Sequence, residues 1–281
     1  MSFCEPWPAP AKINLFLHIV GRREDGFHLL QTVFQFVDWC DWLAFEIDDS
    51  GVVSRSGGLA HVPEDADLTV RAARLLQAET GCRKGVRIAI DKRLPEGGGL
   101  GGGSSDAATV LVALNRLWAL NLDVDRLAGL GLALGADVPV FVRGHAAWAE
   151  GVGERLTPVE PETPWYALVV PDEKVNTASI FKAPQLTRDT PVTTIRALFE
   201  GGSAGVGHND CEAVVRALYP GVDAAFAHLA RFAPPRMTGT GATVFAAFDS
   251  RDAAQAALAD LPAGWQGRVA RGLNRSPLMD R

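Results

Sequence analysis

Apolar and polar residues alternate through AKINLFLHIV near the start of the chain. The alternation predicts a strand over residues 11–20, with Lys12, Asn14, Phe16 and His18 on one face and Ile13, Leu15, Leu17 and Ile19 on the other. A second strand is predicted over 39–47, a helix over 67–79 where apolar residues recur three and four apart, and a strand over 86–91 in GVRIAIDKRL. Helical spacing resumes in SSDAATVLVALNRLWAL and again over 124–134, where Asp123 supplies an N-cap. The apolar run VPVFV predicts a strand over 138–142, and AEGVGERL a stretch of turns. A strand over 165–171 opens the second half, followed by a helix near 177–183, a Pro- and Thr-rich connection near 184–194 and helices around 209–232. The chain closes with the strand TVFAAF, the helix RDAAQAALADL and a strand around GRVARGL. Strands and helices mix without strict βαβ alternation, which makes the class α+β. The composition of PVEPETP places a domain boundary near 158–164, dividing 1–160 from 161–281.

Composition narrows the partners. The 281 residues can bury a full core, and 47% hydrophobic with 21% charged residues are ordinary globular values. A net charge of -6 argues against a broad nucleic-acid or anionic-membrane surface. Cys4, Cys40, Cys82 and Cys211 are scattered without metal-ligand or disulfide-framework spacing, which fits a reducing cytoplasm. No signal-peptide pattern opens the chain, and its richest apolar stretch, LAGLGLALGADVPVFV, is broken by Gly, Asp and Pro. The expectation is a soluble, cytoplasmic monomer or homodimer with no nucleic-acid or membrane partner.

Candidate chemistry concentrates in LPEGGGLGGGSSDA, where six of the seven residues from Gly97 to Gly103 are glycine. A loop without Cβ atoms, between a strand and a helix start, brings backbone N–H groups and the positive end of the helix dipole against an anion such as phosphate. A P-loop is excluded, since no lysine stands in the loop and Ser104 follows Gly103. Gly97, Gly99 and Gly102 match the Rossmann string only literally, because a second helix follows instead of a strand ending in an acid. A protein-kinase loop would need a strand lysine and an HRD-type loop downstream, and neither is present. Lys12 is unusual within so apolar a strand, where a strand-end charge reaching solvent is the plainer reading. RMTGTGATVFAAF, near the C-terminus, reads equally well as a tight turn or as a ligand contact.

Three strings in order, PAKINLFLHIVGRREDGFH, LPEGGGLGGGSSDAATVL and MTGTGATVFAAF, resemble the galactokinase, homoserine kinase, mevalonate kinase and phosphomevalonate kinase (GHMP) superfamily over nearly the whole chain. HLLQTVFQ and LGADVPVFVRGHAAWAEGVGE narrow the likeness to the branch that acts on a cytidine-diphosphate-linked polyol in isoprenoid precursor synthesis. The resemblance implies a two-domain α+β fold: an N-terminal ribosomal-S5-like domain (1–160) that binds ATP and carries catalysis, a C-terminal ferredoxin-like domain (161–281) that contributes to the substrate site, and a cleft between them. It also implies ATP-dependent phosphorylation of the polyol 2-hydroxyl, with ATP as co-substrate and Mg²⁺.

Carried over residue by residue, the resemblance makes Lys12 and Asp137 the catalytic pair. Without it, Asp137 would read as a turn carboxylate before VPVFV. Nucleotide contacts fall on Pro95, Glu96, Gly97, Gly98, Gly99, Leu100, Gly101, Gly102, Gly103, Ser104 and Ser105. Substrate contacts fall on Asn14, Phe27, His28, Thr177 and Phe181, with the two phenylalanines sandwiching the base and His28 bonding its edge. Phe27 stands where tyrosine is expected, losing a hydroxyl and keeping the stacking face. The metal ligands are unassigned, with Ser105 and Asp106 as candidates; Asp106 stands where asparagine is also common. A kinase for homoserine or mevalonate would share the loop but have no use for a base pocket, and a non-catalytic module would be expected to lack Lys12 or Asp137.

Overall fold

Strands β1 (Trp7–Arg22) and β2 (His28–Asp48) form a long antiparallel hairpin through the middle of the molecule, and their apolar alternation buries both faces. The computed structural model describes residues 3–196 and 207–281. Between Asn14 and Leu17 the hairpin takes one extra β1 residue, since Asn14 faces Phe34 and Leu17 faces Thr32. Such a bulge re-aims the side chains beyond it. It brings Leu17, predicted opposite Lys12, to the same cavity wall as Lys12 and Asn14, and sends Phe16 into a core with Val33 and Trp148.

β3 (Val53–Gly57) pairs parallel with β4 (Gly85–Asp91) across the intervening helix α1 (Leu68–Thr80), and β4 pairs antiparallel with β2. After β4 the glycine loop leads into α2 (Gly102–Leu117), α3 (Val124–Leu132) and α4 (Val138–Arg143). A hairpin of β5 (Ala147–Glu150) and β6 (Arg155–Pro158) joins the same edge of β2 as β4, opposite β1. The second half contributes β7 (Trp165–Val170), α5 (Thr177–Lys182), α6 (Glu212–Leu218), α7 (Pro220–Leu229), β8 (Pro235–Met237), β9 (Val244–Phe248), α8 (Arg251–Ala256) and β10 (Gln266–Leu273). The described strands run in the order β3-β4-β2-β10-β7-β9-β8, with β10 joining β2 to β7.

The two largest apolar cores among the described residues flank this sheet. One packs α1, α2 and α4 on it through Leu76, Leu111, Leu114 and Phe141; the other gathers Val169, Val215, Phe226 and Val244. The halves are laced together, because Leu17 and Ile19 of β1 enter the second core while Leu278 enters the first.

The predicted strand over 138–142 is helix α4 instead. β-branched residues favour a strand, but every residue from Val138 to Val142 is buried, so no one-sided period marks the segment. Pro139 suits the first turn of a helix, and Gly144 closes the other end in the left-handed conformation, donating its N–H to Val140 O. β2 starts at His28, well before the predicted 39, and strands β5 and β6 flank the turn expected in AEGVGERL. β3 and β8 were not anticipated, and α8 stops at Ala256. Among the described residues, no helix is long and apolar enough to cross a membrane.

Candidate active site

The glycine loop is pinned from two sides. Gly99 and Gly101 have φ of 74° and 73°, which an L side chain rarely adopts. A Cβ on Gly99 would stand 2.3 Å from Thr238 O, and one on Gly101 would stand 2.9 Å from the Phe141 ring and 3.2 Å from Lys12 Cε. The loop is thus pressed against the TGTG turn, the Phe141 ring and the Lys12 side chain as well as being open to a ligand. Thr243 N and Ala242 N donate to Gly98 O and Gly97 O, and Asn209 Nδ2 donates to Met237 O and Gly239 O, fixing the turn in place. Glu96 accepts from Lys174 at 2.8 Å and pairs with His61 at 2.9 Å, which holds its carboxyl below the usual range.

Helix α2 begins where the loop ends, and no side chain caps it. The N–H groups of Gly102, Gly103 and Ser104 therefore have no intrahelical acceptor, and they coincide with the positive end of a 16-residue helix. Beside them a cavity of about 360 Å³ is lined by the loop and by Leu59, Val62, Leu68 and Ile90. Ser104 lines this cavity and a larger one, whereas Ser105 is fully buried, lines neither, and donates its N–H to Gly101 O at 2.8 Å. The hydroxyl expected of Ser105 is thus turned into the core, where Oγ has no partner. Asp106 is buried against Lys92 at 2.8 Å, and Lys92 also pairs with Asp41 at 2.5 Å. No group of three or more metal-ligating side chains occurs among the described residues.

The larger cavity, about 850 Å³, has Lys12 and Asp137 on its wall. Lys12 Nζ lies 3.4 Å from Asp137 Oδ2 and donates to Asn14 Oδ1 at 2.7 Å and Gly99 O at 3.0 Å; it also stands 5.3 Å above the Phe34 ring. The ammonium is almost fully buried, while the Asp137 side chain keeps 34% of its exposure. Burying a cation is costly unless it is paired and hydrogen-bonded, and all these contacts serve that end. Asp137 occupies the N-cap position of α4 yet makes no capping bond, which leaves its carboxylate free to face Lys12. Asn14 is held in turn: Nδ2 donates to Thr32 Oγ1 at 2.9 Å, and its backbone N–H donates to Thr238 Oγ1 at 2.9 Å.

At the far end of the same cavity stand Phe27, His28, Thr177 and Phe181. The His28 and Phe181 rings stack directly, centroids 4.9 Å apart and 26° from parallel, while Phe27 is 61% exposed at the rim. Thr177 Oγ1 is hydrogen-bonded to Thr240 Oγ1 at 2.8 Å, tying α5 to the TGTG turn. Arg188 Nε donates to His28 Nε2 at 3.2 Å, and its terminal nitrogens donate to the carbonyls of Phe181, Ala183 and Leu186. Burial, with the Arg188 and Arg22 charges beside it, holds the His28 imidazole below its ordinary pKa. Sequence reasoning missed Thr32, Phe34, Arg188 and Thr238. Thr238 carried a signal in the TGTG string, and Thr32 and Phe34 fall in HLLQTVFQ, which marks the resemblance without giving either a role; Arg188 falls in a segment without periodicity.

Comparison with known proteins agrees with this architecture. The family model described as GHMP kinases N terminal domain matches residues 67–145, and that described as GHMP kinases C terminal matches residues 193–267. The fold is that of a GHMP kinase. The chain is 62% identical over its full length to the 4-diphosphocytidyl-2-C-methyl-D-erythritol kinase of Alkalilimnicola ehrlichii, of which it covers 95%. It is 59% identical to the Nitrosococcus oceani kinase of the same name, covering 98% of this chain and 96% of the relative. A crystal structure of 4-(cytidine 5'-diphospho)-2C-methyl-D-erythritol kinase superposes with a TM-score of 0.83 at 33% identity, over 95% of this chain and 99% of that one. The chain belongs to the 4-diphosphocytidyl-2-C-methyl-D-erythritol kinase family.

Proposed function

We propose that this chain transfers the γ-phosphoryl group of ATP to the 2-hydroxyl of 4-diphosphocytidyl-2-C-methyl-D-erythritol, in the methylerythritol phosphate route to isoprenoid precursors. The observation that carries the reading is the meeting of the two cavities. Gly99, Gly101 and Ser104 line both, and Lys12 and Asp137 stand on the larger one at that junction. A donor nucleotide in the smaller cavity and an alcohol in the larger one would meet beside the pair. The smaller cavity suits a nucleotide, since apolar side chains offer a slot for a base and the uncapped start of α2 offers N–H groups to phosphates.

Asp137, partly open to the cavity, accepts the hydroxyl proton as the oxygen attacks. Lys12 holds Asp137 and the alcohol in line and offsets the charge of the transferring group. Asn14 and Gly99 O fix the Lys12 ammonium so that little reorganisation is needed. Mg²⁺ would arrive with the nucleotide and neutralise phosphate charge, held chiefly by phosphate oxygens and water, since Ser105 is turned away and Asp106 is already paired.

Phe27 and Phe181 supply stacking faces for the cytosine and His28 an edge contact. Because His28 and Phe181 touch, the base is admitted on the side of that pair facing Phe27. Thr177 lies within reach of the diphosphate. The same reading assigns ATP binding and catalysis to residues 1–160 and completion of the substrate site to 161–281, in a cytoplasmic monomer or homodimer. The test is ADP release from Mg-ATP with the cytidyl substrate, the uncytidylated alcohol phosphate, mevalonate and homoserine. Turnover with the cytidyl substrate alone is expected; turnover with another alcohol would discard the base pocket, and none at all would discard the kinase.

A further inference from the structure

Arg188 lies in the connection after α5, outside every motif that marks the site, yet it lines the substrate cavity and four donor contacts fix its guanidinium. Three go to the carbonyls of Leu186, Phe181 and Ala183, so the group is anchored to the end of the helix that carries Phe181. The fourth, from Nε, reaches His28 Nε2 at 3.2 Å. A guanidinium has N–H donors and no acceptor, so the nitrogen that receives this bond must present its lone pair. A neutral imidazole with a lone pair on Nε2 carries its proton on Nδ1. His28 Nδ1 has no partner among the described residues, and the ring lines the cavity. The burial and neighbouring cations that disfavour the imidazolium act in the same direction.

We infer that Arg188 is a specificity-determining positioning residue: it fixes His28 in the Nδ1–H tautomer, so that the cavity presents a donor to a base edge bearing an acceptor. This inference rests on the reading of the cavity as a cytidine pocket. Cytosine carries an acceptor at N3, whereas uracil carries N3–H there, and two donors facing one another in a desolvated site are mutually excluded. Without the arginine, the ring is free to take the Nε2–H form that the side chain prefers in water. That form turns Nδ1 into an acceptor and suits the wrong base. Arg188 would thus select cytidine over uridine without itself touching the base.

The first measurement is the ¹⁵N spectrum of the His28 ring in the full chain, near neutral pH and without substrate. A protonated Nδ1 and an unprotonated Nε2 are expected; a protonated Nε2 in the wild-type chain overturns the inference, whatever the substrate proves to be. The second compares kcat/KM for the cytidyl substrate and its uridyl analogue in wild type, R188K and R188A, with the KM for ATP as the check that each variant is folded. In R188A the cytidyl-to-uridyl preference is expected to fall about ten-fold or more, with the His28 tautomer shifting. In R188K, which keeps a cationic donor group that can bond His28 Nε2, part of the preference returns. An unchanged preference in R188A with an unchanged KM for ATP overturns the inference. Failure of the wild-type chain to use the cytidyl substrate instead removes the pocket reading, leaving the tautomer result to stand or fall by itself.

Discussion

The two ends of the substrate cavity are built on opposite principles. At the end proposed for phosphoryl transfer, Lys12 and Asn14 are buried and share contacts with Gly99, Thr32, Thr238 and Asp137, which come from four separate segments. At the end proposed for the base, Phe27 projects from the turn between β1 and β2 with 61% of its surface exposed, and Arg23 and Asp25 of that turn pair with each other in solvent. Transfer through a loose transition state depends on positioning, and positioning is secured by over-determined buried contacts. Ligand admission requires an end that can open. Substitutions at the first end should therefore cost turnover, and those at the second should cost affinity.

Asp137→Asn tests that division at its strongest point. It should lower kcat about 10²- to 10⁴-fold, the usual contribution of a positioned general base, while leaving ATP affinity nearly unchanged. Steady-state rates and an ATP titration would check both, and substantial retained turnover would remove Asp137 from the chemistry. Gly99→Ala attacks the frame instead of the chemistry. Its Cβ would lie 2.3 Å from Thr238 O at a φ that alanine resists. A stability loss of about 2–3 kcal/mol is expected, together with weaker ATP binding. A fully stable Gly99→Ala variant would show that the loop is not braced on the TGTG turn.

The same contrast explains what could be read from the chain. The glycine loop, the strand of Lys12 and the N-cap at Asp123 were legible because each rests on a local rule: bare backbone between strand and helix, alternation, and a capping side chain that does accept from Arg126 N. Only the resemblance singles out Asp137, since a carboxylate before VPVFV has an ordinary turn reading and the segment itself reads as a strand. Burial on every side erased the helical period of α4, and with it the reason why Asp137 faces Lys12. The bulge after Asn14 was likewise invisible, because it is set by pairing with β2 and not by β1 alone. Arg188 and Thr32 act through partners 160 and 18 residues away, separations that no local pattern reports.

Phe181→Ala and Phe27→Ala probe the open end. Loss of a stacking face is worth about 1–3 kcal/mol, so Phe181→Ala should raise the KM for the cytidyl substrate about ten- to hundred-fold with kcat little changed. Phe27, exposed at the rim, should cost less, about three-fold. Equal effects would mean that the rim closes over the base as tightly as the inner wall does. A fall in kcat instead of a rise in KM would erase the division between the two ends.

The smallest effect concerns a buried charge beneath the loop, where a stable frame and a stable charge state conflict. Asp41 accepts from Arg93 N, Leu94 N and Lys92, whereas Asp106 shares only Lys92 and leaves Oδ1 without a partner. Burial pushes the Asp106 carboxyl up to about 7, against the pull of Lys92 and with the help of the Asp41 charge. The folded chain then binds more protons than the unfolded chain, whose Asp titrates near 3.8, throughout the interval between those values. The contribution of Asp106 to stability falls as pH rises through that interval. Asp106→Asn removes the ionisation and should be about 1–2 kcal/mol more stable than wild type at alkaline pH, the gap closing as pH falls towards the unfolded value. Urea denaturation of both proteins across that range reads the gap directly. A gap independent of pH would mean that Asp106 stays ionised beside Lys92, and that the loop rests on an anion and not on a shared proton.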